Sequence, residues 1–230
     1  MAISFLFKGR GRNDLSLIGV YSMHDLRLAV NLLGWRSFVR RKGDKTFQTV
    51  SGQIFARDGY ACQYCGFQAK EFQEIVNIDG NYTNNKPSNM ITACCFCAQC
   101  LFLQAVGIDE VSGGTLIYLP EMSQNDLNSF CHVLFCAMGN NTGYQDTSQS
   151  VYRSFKFRSQ IVENKFGTGT SNPAVMGQVV VEHQARAGEK QKINFLKDLR
   201  LLPAHTKFKA QLTAWTESAL RELEVDEARA

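Results

Sequence analysis

Residues 54–100 read IFARDGYACQYCG, then FQAKEFQ, then EIVNIDGNYTNNKPSNMITACCFCAQC. Two Cys-x-x-Cys pairs stand in this stretch, Cys62/Cys65 and Cys94/Cys97, with strand and turn signals between them. A tight turn of this kind sets its two sulfurs about one tetrahedral edge apart, so a fold that faces two such turns can offer four thiolates to a single structural zinc ion. Gln63, Tyr64 and Gly66 mark the first turn as exposed, a poor place for idle thiols. Cys95 and Cys100 keep the ligand set open. Cys97-x-x-Cys100 is a third pair, and in that register Cys100 takes the place of Cys94. Cys131 and Cys136 read as small apolar core residues.

Working outward, Thr46–Arg57 carries Phe47, Val50 and Ile54 at helical spacing and delivers the chain to the turn Asp58-Gly59-Tyr60. Upstream, His24–Arg41 has Leu26, Val30 and Leu33 at the same spacing. Ile3–Phe7 and Leu15–Tyr21 are strand candidates split by a Gly-Arg-Gly-Arg-Asn turn. Inside the stretch, Glu74–Ile78 is a strand candidate followed by the turn Asp79-Gly80-Asn81. Ser88 can cap a short helix through Thr92. Downstream, Thr115–Leu119 predicts a strand closed by Pro120, and Ser123–Met138 a helix with Leu127, Cys131 and Leu134 on its buried face. Gly139–Ser150 reads as a polar loop, Val151–Phe166 as a helix and Gly167–Gly177 as a linker or lid. Lys192–Leu202 and His205–Leu223 read as two helices broken at Pro203, the last with an apolar stripe of Phe208, Leu212, Trp215 and Ala219. The expected architecture is α+β: strands and a basic helix over 1–53, a compact ββα-metal module of treble-clef type over 54–100, and a mainly helical region over 101–230.

With 44% apolar residues, the 230-residue chain can build a sizeable core and is too hydrophobic to be disordered. Lys8, Arg10 and Arg12 interrupt the short apolar start, which argues against a signal peptide. No apolar run approaches the eighteen or so residues of a membrane span. Reduced thiols for zinc then make the cytosol the expected compartment and disfavour a disulfide framework. The net charge of +4 hides an asymmetry, because residues 1–57 hold ten Lys/Arg against three Asp/Glu. The densest cluster, Arg36, Arg40, Arg41, Lys42 and Lys45, could face phosphate backbone, anionic lipid or an acidic protein segment.

The order Arg57-Asp58-Gly59-Tyr60-x-Cys62-x-x-Cys65-Gly66, Val76-Asn77-Ile78, Ser88-Asn89-Met90-Ile91, Cys94-x-x-Cys97 resembles the HNH endonuclease motif with its zinc cysteines. The resemblance implies a structural zinc ion and, beside it, a nuclease site built on a strand Asp-His pair. Here Asn77 holds the Asp place and Ile78 the place of the catalytic His, while Asn89 matches the Asn that orders the loop. The histidines are His24, His132, His183 and His205, so none lies within the motif. An isoleucine can neither abstract a proton nor bind a metal. Asn77, Asp79 and Asn89 leave open a hard-cation site and hence an altered HNH nuclease. The basic cluster leaves open a zinc-dependent nucleic-acid binder.

Over essentially its whole length the chain also resembles the IcmJ (DotN) family of the Dot/Icm type IVB secretion apparatus. IFARDGYACQYCGFQA, NIDGNYTNNKPSNMITACCFCAQC and LIYLPEMSQNDLN carry that likeness. It implies a non-catalytic, zinc-containing HNH-like adaptor at the cytoplasmic face of the inner membrane. It further implies that such an adaptor holds the C-terminal tail of the coupling ATPase DotL beside DotM and the IcmS–IcmW adaptor pair, and that it takes part in effector recruitment.

Overall fold

A computed structural model describes residues 23–108, 112–139, 143–187 and 196–227. The strands expected at Ile3–Phe7 and Leu15–Tyr21 lie outside these residues. The fold is α+β: helices gathered around two separate two-stranded antiparallel sheets.

Helix α1 spans Leu32–Arg41 and α2 Lys45–Arg57. Each is opened by a side chain that satisfies an otherwise orphaned backbone N–H: Asn31 accepts from Gly34 and Asp44 from Phe47. The helix expected from His24 therefore begins only at Leu32. Residues 23–30 form no helix because their amides are drawn elsewhere: His24 N donates to the Gln63 carbonyl, Leu26 N to Asn125 Oδ1 and Ala29 N to the Cys100 carbonyl. Leu26 is buried by this route, whereas Leu33 is left in solvent at 79% exposure.

Strands β1 (Gln73–Asn77) and β2 (Met90–Cys94) pair with Gln73 opposite Cys94 and Asn77 opposite Met90. All five β2 residues are buried. That corrects the short helix expected over Ser88–Thr92, because apolar Met90 and Ile91 fit a strand covered on both faces better than a helix with a wet side. Only Pro87–Asn89 forms a single helical turn, of the tight 3-10 kind. Helix α3, Cys95–Gln99, follows β2 directly. At the C-terminus of α2, Arg57 donates to the Pro87 and Met90 carbonyls, and Asp58 accepts from Thr92 N, latching α2 to β2.

The second sheet pairs β3 (Gly114–Tyr118) with β4 (Leu199–Pro203), Leu116 lying opposite Leu201. The helix expected over Lys192–Leu202 is thus corrected at its C-terminal end. Leu199, Leu201 and Leu202 bury themselves by pairing with β3, a tertiary choice that overrides helical spacing. Helix α4, Gln124–Gly139, lies against β4 and buries Leu127, Cys131 and Leu134; Cys136 is only partly buried.

Three further boundaries differ from expectation. Part of the predicted loop 139–150 is already helical, since α5 spans Gln145–Phe157. The predicted single helix over 151–166 breaks at Arg158 and resumes as α6, Ser159–Phe166. The predicted linker 167–177 becomes a turn, with Thr170 buried, followed by α7, Pro173–Ala187, which Asn172 caps through its side chain. Gly177 lets α7 approach the turn at Leu103–Ala105. A Cβ there would stand 2.9 Å from Gln104 backbone atoms, so nearness and not flexibility explains this glycine. Phe208, just before helix α8 (Lys209–Glu227), and Trp215 within it are seated in the core.

One buried cluster runs from Leu26 through the cysteines and α4 to Trp215. Phe96, Phe102, Phe135 and Phe208 are its largest wholly buried side chains, each worth roughly 1.5–3 kcal/mol of transfer free energy. Residues 54–100 contribute the cysteines and most of their buried side chains to this cluster, while Ile54, Ile75 and Met90 form a second, smaller one. Among the described residues no helix is long and apolar enough to cross a membrane.

Candidate metal centre

The first cysteine turn is built by two successive left-handed residues, Gly59 (φ 62°) and Tyr60 (φ 55°), and closed by Gly66 (φ 76°). Gly66 N donates to the Cys62 carbonyl and Cys62 N to that of Phe67, which folds the turn. Gln63 N then donates to the Thr92 carbonyl and docks the turn on β2. Cys94 ends β2 and Cys97 sits one turn into α3. As a result the sulfurs of Cys62, Cys65, Cys94 and Cys97 all lie within 4.8 Å of one another, and all four residues are buried. Cys65 Sγ and Cys94 Sγ are 3.6 Å apart. Of the turn expected to be exposed, Gly66 is exposed and Gln63 half-buried, but Tyr64 is buried, because docking on β2 turns it toward the core.

Cys100 takes a different job: its thiol donates to the Phe96 carbonyl at 3.2 Å, and burial pushes it up to about 12. Cys95, at the first position of α3, is partly exposed and stands outside the quartet. Four sulfurs this close and this buried cannot all ionise unaided. Burial comes first in holding Cys94 and Cys97 well above the ordinary thiol range. At Cys62 burial acts the same way, but hydrogen bonds from Cys65, Cys94 and Cys97 outweigh it and pull the thiol down. A cation at the centre of the quartet resolves the conflict by stabilising all four thiolates at once. The donor set fits a thiophilic, four-coordinate metal ion.

Two residues absent from the sequence reading of the site touch these sulfurs from α4. His132 Nε2 lies 3.3 Å from Cys94 Sγ, and Asn128 Nδ2 donates to Cys97 Sγ at 3.2 Å. His132 is sandwiched between Phe67, at 3.7 Å between ring centroids and 4° between planes, and Phe96, at 4.3 Å and 16°. Burial drives its pKa down to about 3, so the ring is neutral at physiological pH. The sequence did hold a signal: Gln124, Asn128 and His132 recur every four residues on the apolar side of an amphipathic helix, a polar stripe where core is expected.

The far end of the hairpin is unlike this. Asn77, the residue in the Asp place, is buried; its Oδ1 accepts from Arg41 Nη1 at 2.7 Å and its Nδ2 donates to the Asn81 and Asn84 carbonyls. The exposed Asp79 carboxylate accepts from the Asn84 and Asn89 side-chain amides and from Asn81 N, which together hold it below the ordinary carboxylate value. Ile78 is 47% exposed.

The basic cluster does not form one face. Arg36, Arg40 and Lys45 are exposed, whereas Arg41 turns inward. It donates to Asn77, Asn85 and the Ile75 carbonyl, and it packs over the rings of Phe38, Phe47 and Tyr82. Burial lowers its guanidinium pKa to about 10, which leaves it cationic. Lys42 pairs with Glu74 at 2.6 Å.

Fold and site together define an α+β protein with a buried cluster of four cysteines able to hold a metal ion. No family model matches the chain. The chain is 53% identical over 199 residues to the type 4 apparatus protein DotN of Legionella pneumophila, an alignment that covers 86% of this chain and 92% of that protein. It belongs to the IcmJ (DotN) family.

Proposed function

We propose that this chain is a non-catalytic scaffold subunit of a type IV secretion apparatus, stapled by one structural zinc ion held by Cys62, Cys65, Cys94 and Cys97. Membership of the family of a named type 4 apparatus protein carries the first half of the reading. The geometry of the quartet supports the second. A tetrahedral Zn–S bond of about 2.3 Å implies sulfurs about 3.8 Å apart, and Cys65 and Cys94 stand at 3.6 Å. The four residues leave no coordination position for water, as befits a structural site. An HNH-like ancestry for residues 54–100 fits the hairpin followed by a short helix. Loss of nuclease chemistry fits Asn77 and Ile78 standing where an Asp and a His would act.

The partner reading goes with the family. The chain would act at the cytoplasmic face of the inner membrane, within a coupling complex. There it would hold the C-terminal tail of the coupling ATPase DotL beside DotM and the IcmS–IcmW pair. The test is calorimetric titration of the zinc-loaded protein with that tail. Submicromolar, stoichiometric binding is expected; absence of binding would overturn the scaffold assignment. Metal analysis of the same sample should return one zinc per chain.

A further inference from the structure

Helix α4 belongs to the chain well beyond the cysteine module, yet it brings two polar side chains, both essentially without solvent exposure, to the sulfurs. Their orientation follows from what surrounds them. Asn128 Oδ1 accepts from Gln124 Nε2 at 2.9 Å; Gln124 in turn donates to the Leu201 carbonyl at 3.0 Å and accepts from Leu201 N at 2.8 Å. The carbonyl end of Asn128 is therefore committed, and its NH2 must face Cys97 and, at 3.8 Å, Cys100. For His132, Nδ1 is buried with no hydrogen-bond partner. Placing the ring proton there would orphan an N–H and aim a lone pair at a sulfur. Placing it on Nε2 directs an N–H at Cys94 and leaves only an acceptor unfilled, the cheaper arrangement.

We infer that His132 and Asn128 are positioning residues for the metal centre, each donating one hydrogen bond to a ligand sulfur and thereby making the centre inert. Two thiolates of the quartet carry such a donor from outside their own module. A metal–tetrathiolate core bears a net charge of two minus in a wholly buried site, and N–H donors spread that charge and lower sulfur nucleophilicity. The relay from Leu201 through Gln124 and Asn128 to Cys97 also ties metal retention to the second sheet, so the module keeps its metal only while α4 is docked. The inference rests on the four-cysteine zinc reading and adds which residues govern the metal's lability.

The full-length protein is tested as purified, with zinc content measured first. His132→Phe keeps a ring between Phe67 and Phe96 but removes the donor; Asn128→Leu removes the other; His132→Gln restores an N–H near Nε2. Zinc release into excess EDTA should run about 10–100-fold faster in His132→Phe and in Asn128→Leu, with the far-ultraviolet spectrum unchanged. His132→Gln should recover most of the native rate. In cobalt-substituted protein the sulfur-to-cobalt charge-transfer bands should shift in His132→Phe and return in His132→Gln, a change that lost packing alone would not produce. Zinc-loaded His132→Phe with native release and native bands would overturn the inference while sparing the zinc reading. X-ray absorption showing three sulfurs and one nitrogen around zinc would also overturn it, by making His132 a ligand. Purified protein devoid of zinc would instead sink the reading on which the inference rests.

Discussion

The β1–β2 hairpin has two polar ends of opposite character. At the end where Gln73 faces Cys94, four buried sulfurs converge with more acceptor capacity than nearby donors can fill. At the end where Asn77 faces Met90, the amides of Asn77, Asn84 and Asn89 are matched with Arg41, Asp79 and backbone carbonyls. One end therefore calls for a cation and the other is closed on itself. The cysteine end offers donors that could hold a metal ion, while at the opposite end the polar side chains bind each other. Buried polar groups persist only when satisfied, and the two ends reach satisfaction by different means.

The contrast breaks most violently if the cysteine end is disabled. Cys62→Ser or Cys97→Ser should leave the chain unfolded or aggregated, because structural zinc affinity is largely folding free energy, on the order of 10 kcal/mol. Circular dichroism and metal analysis read this directly, and a soluble, folded, zinc-free Cys62→Ser protein would count against the four-thiolate site. At the other end the loss should be smaller. Arg41→Met strips charged donors from Asn77, Asn85 and the Ile75 carbonyl and should lower stability by about 3 kcal/mol, measured by urea unfolding of the zinc-loaded protein. Substitutions at Arg36 and Arg40, which are exposed, should cost within about 0.5 kcal/mol.

Ile78→His would place an imidazole at the position that the HNH resemblance gives to a catalytic His. With Ile78 half-exposed, stability should change by no more than about 0.5 kcal/mol. Plasmid nicking with Mn²⁺ should remain at background, because the neighbouring Asp79 carboxylate is already occupied by three donors. Appearance of metal-dependent nicking would show that this end is one residue from activity. The smallest effect is local and pH-dependent. Asp79 has its carboxyl pKa depressed below the ordinary 3.8, so its hydrogen bonds contribute fully above that value and are lost as pH falls through the depressed one. The side-chain amide resonances of Asn84 and Asn89 should shift together in that acid window, and the shift should vanish in Asp79→Asn.

Much of the site was legible in the chain alone. Two Cys-x-x-Cys turns, the helix ending at Arg57, the strand before Asp79, the helix beginning near Ser123 and the absence of histidine from the motif are all local signals, fixed by spacing and turn chemistry over a few residues. Tertiary structure decided the rest. It selected Cys94 for the quartet and gave Cys100 to the Phe96 carbonyl, because the passage from β2 into α3 aims neighbouring cysteines in different directions. It turned Arg41 away from its basic neighbours, made Leu199–Pro203 a strand because β3 was there to pair with it, and brought Asn128 and His132 onto sulfurs some thirty to forty residues upstream. The physical reason is common to all of these. Periodicity and capping act within a single element, whereas which donor reaches which buried acceptor depends on packing between elements that sequence spacing does not encode.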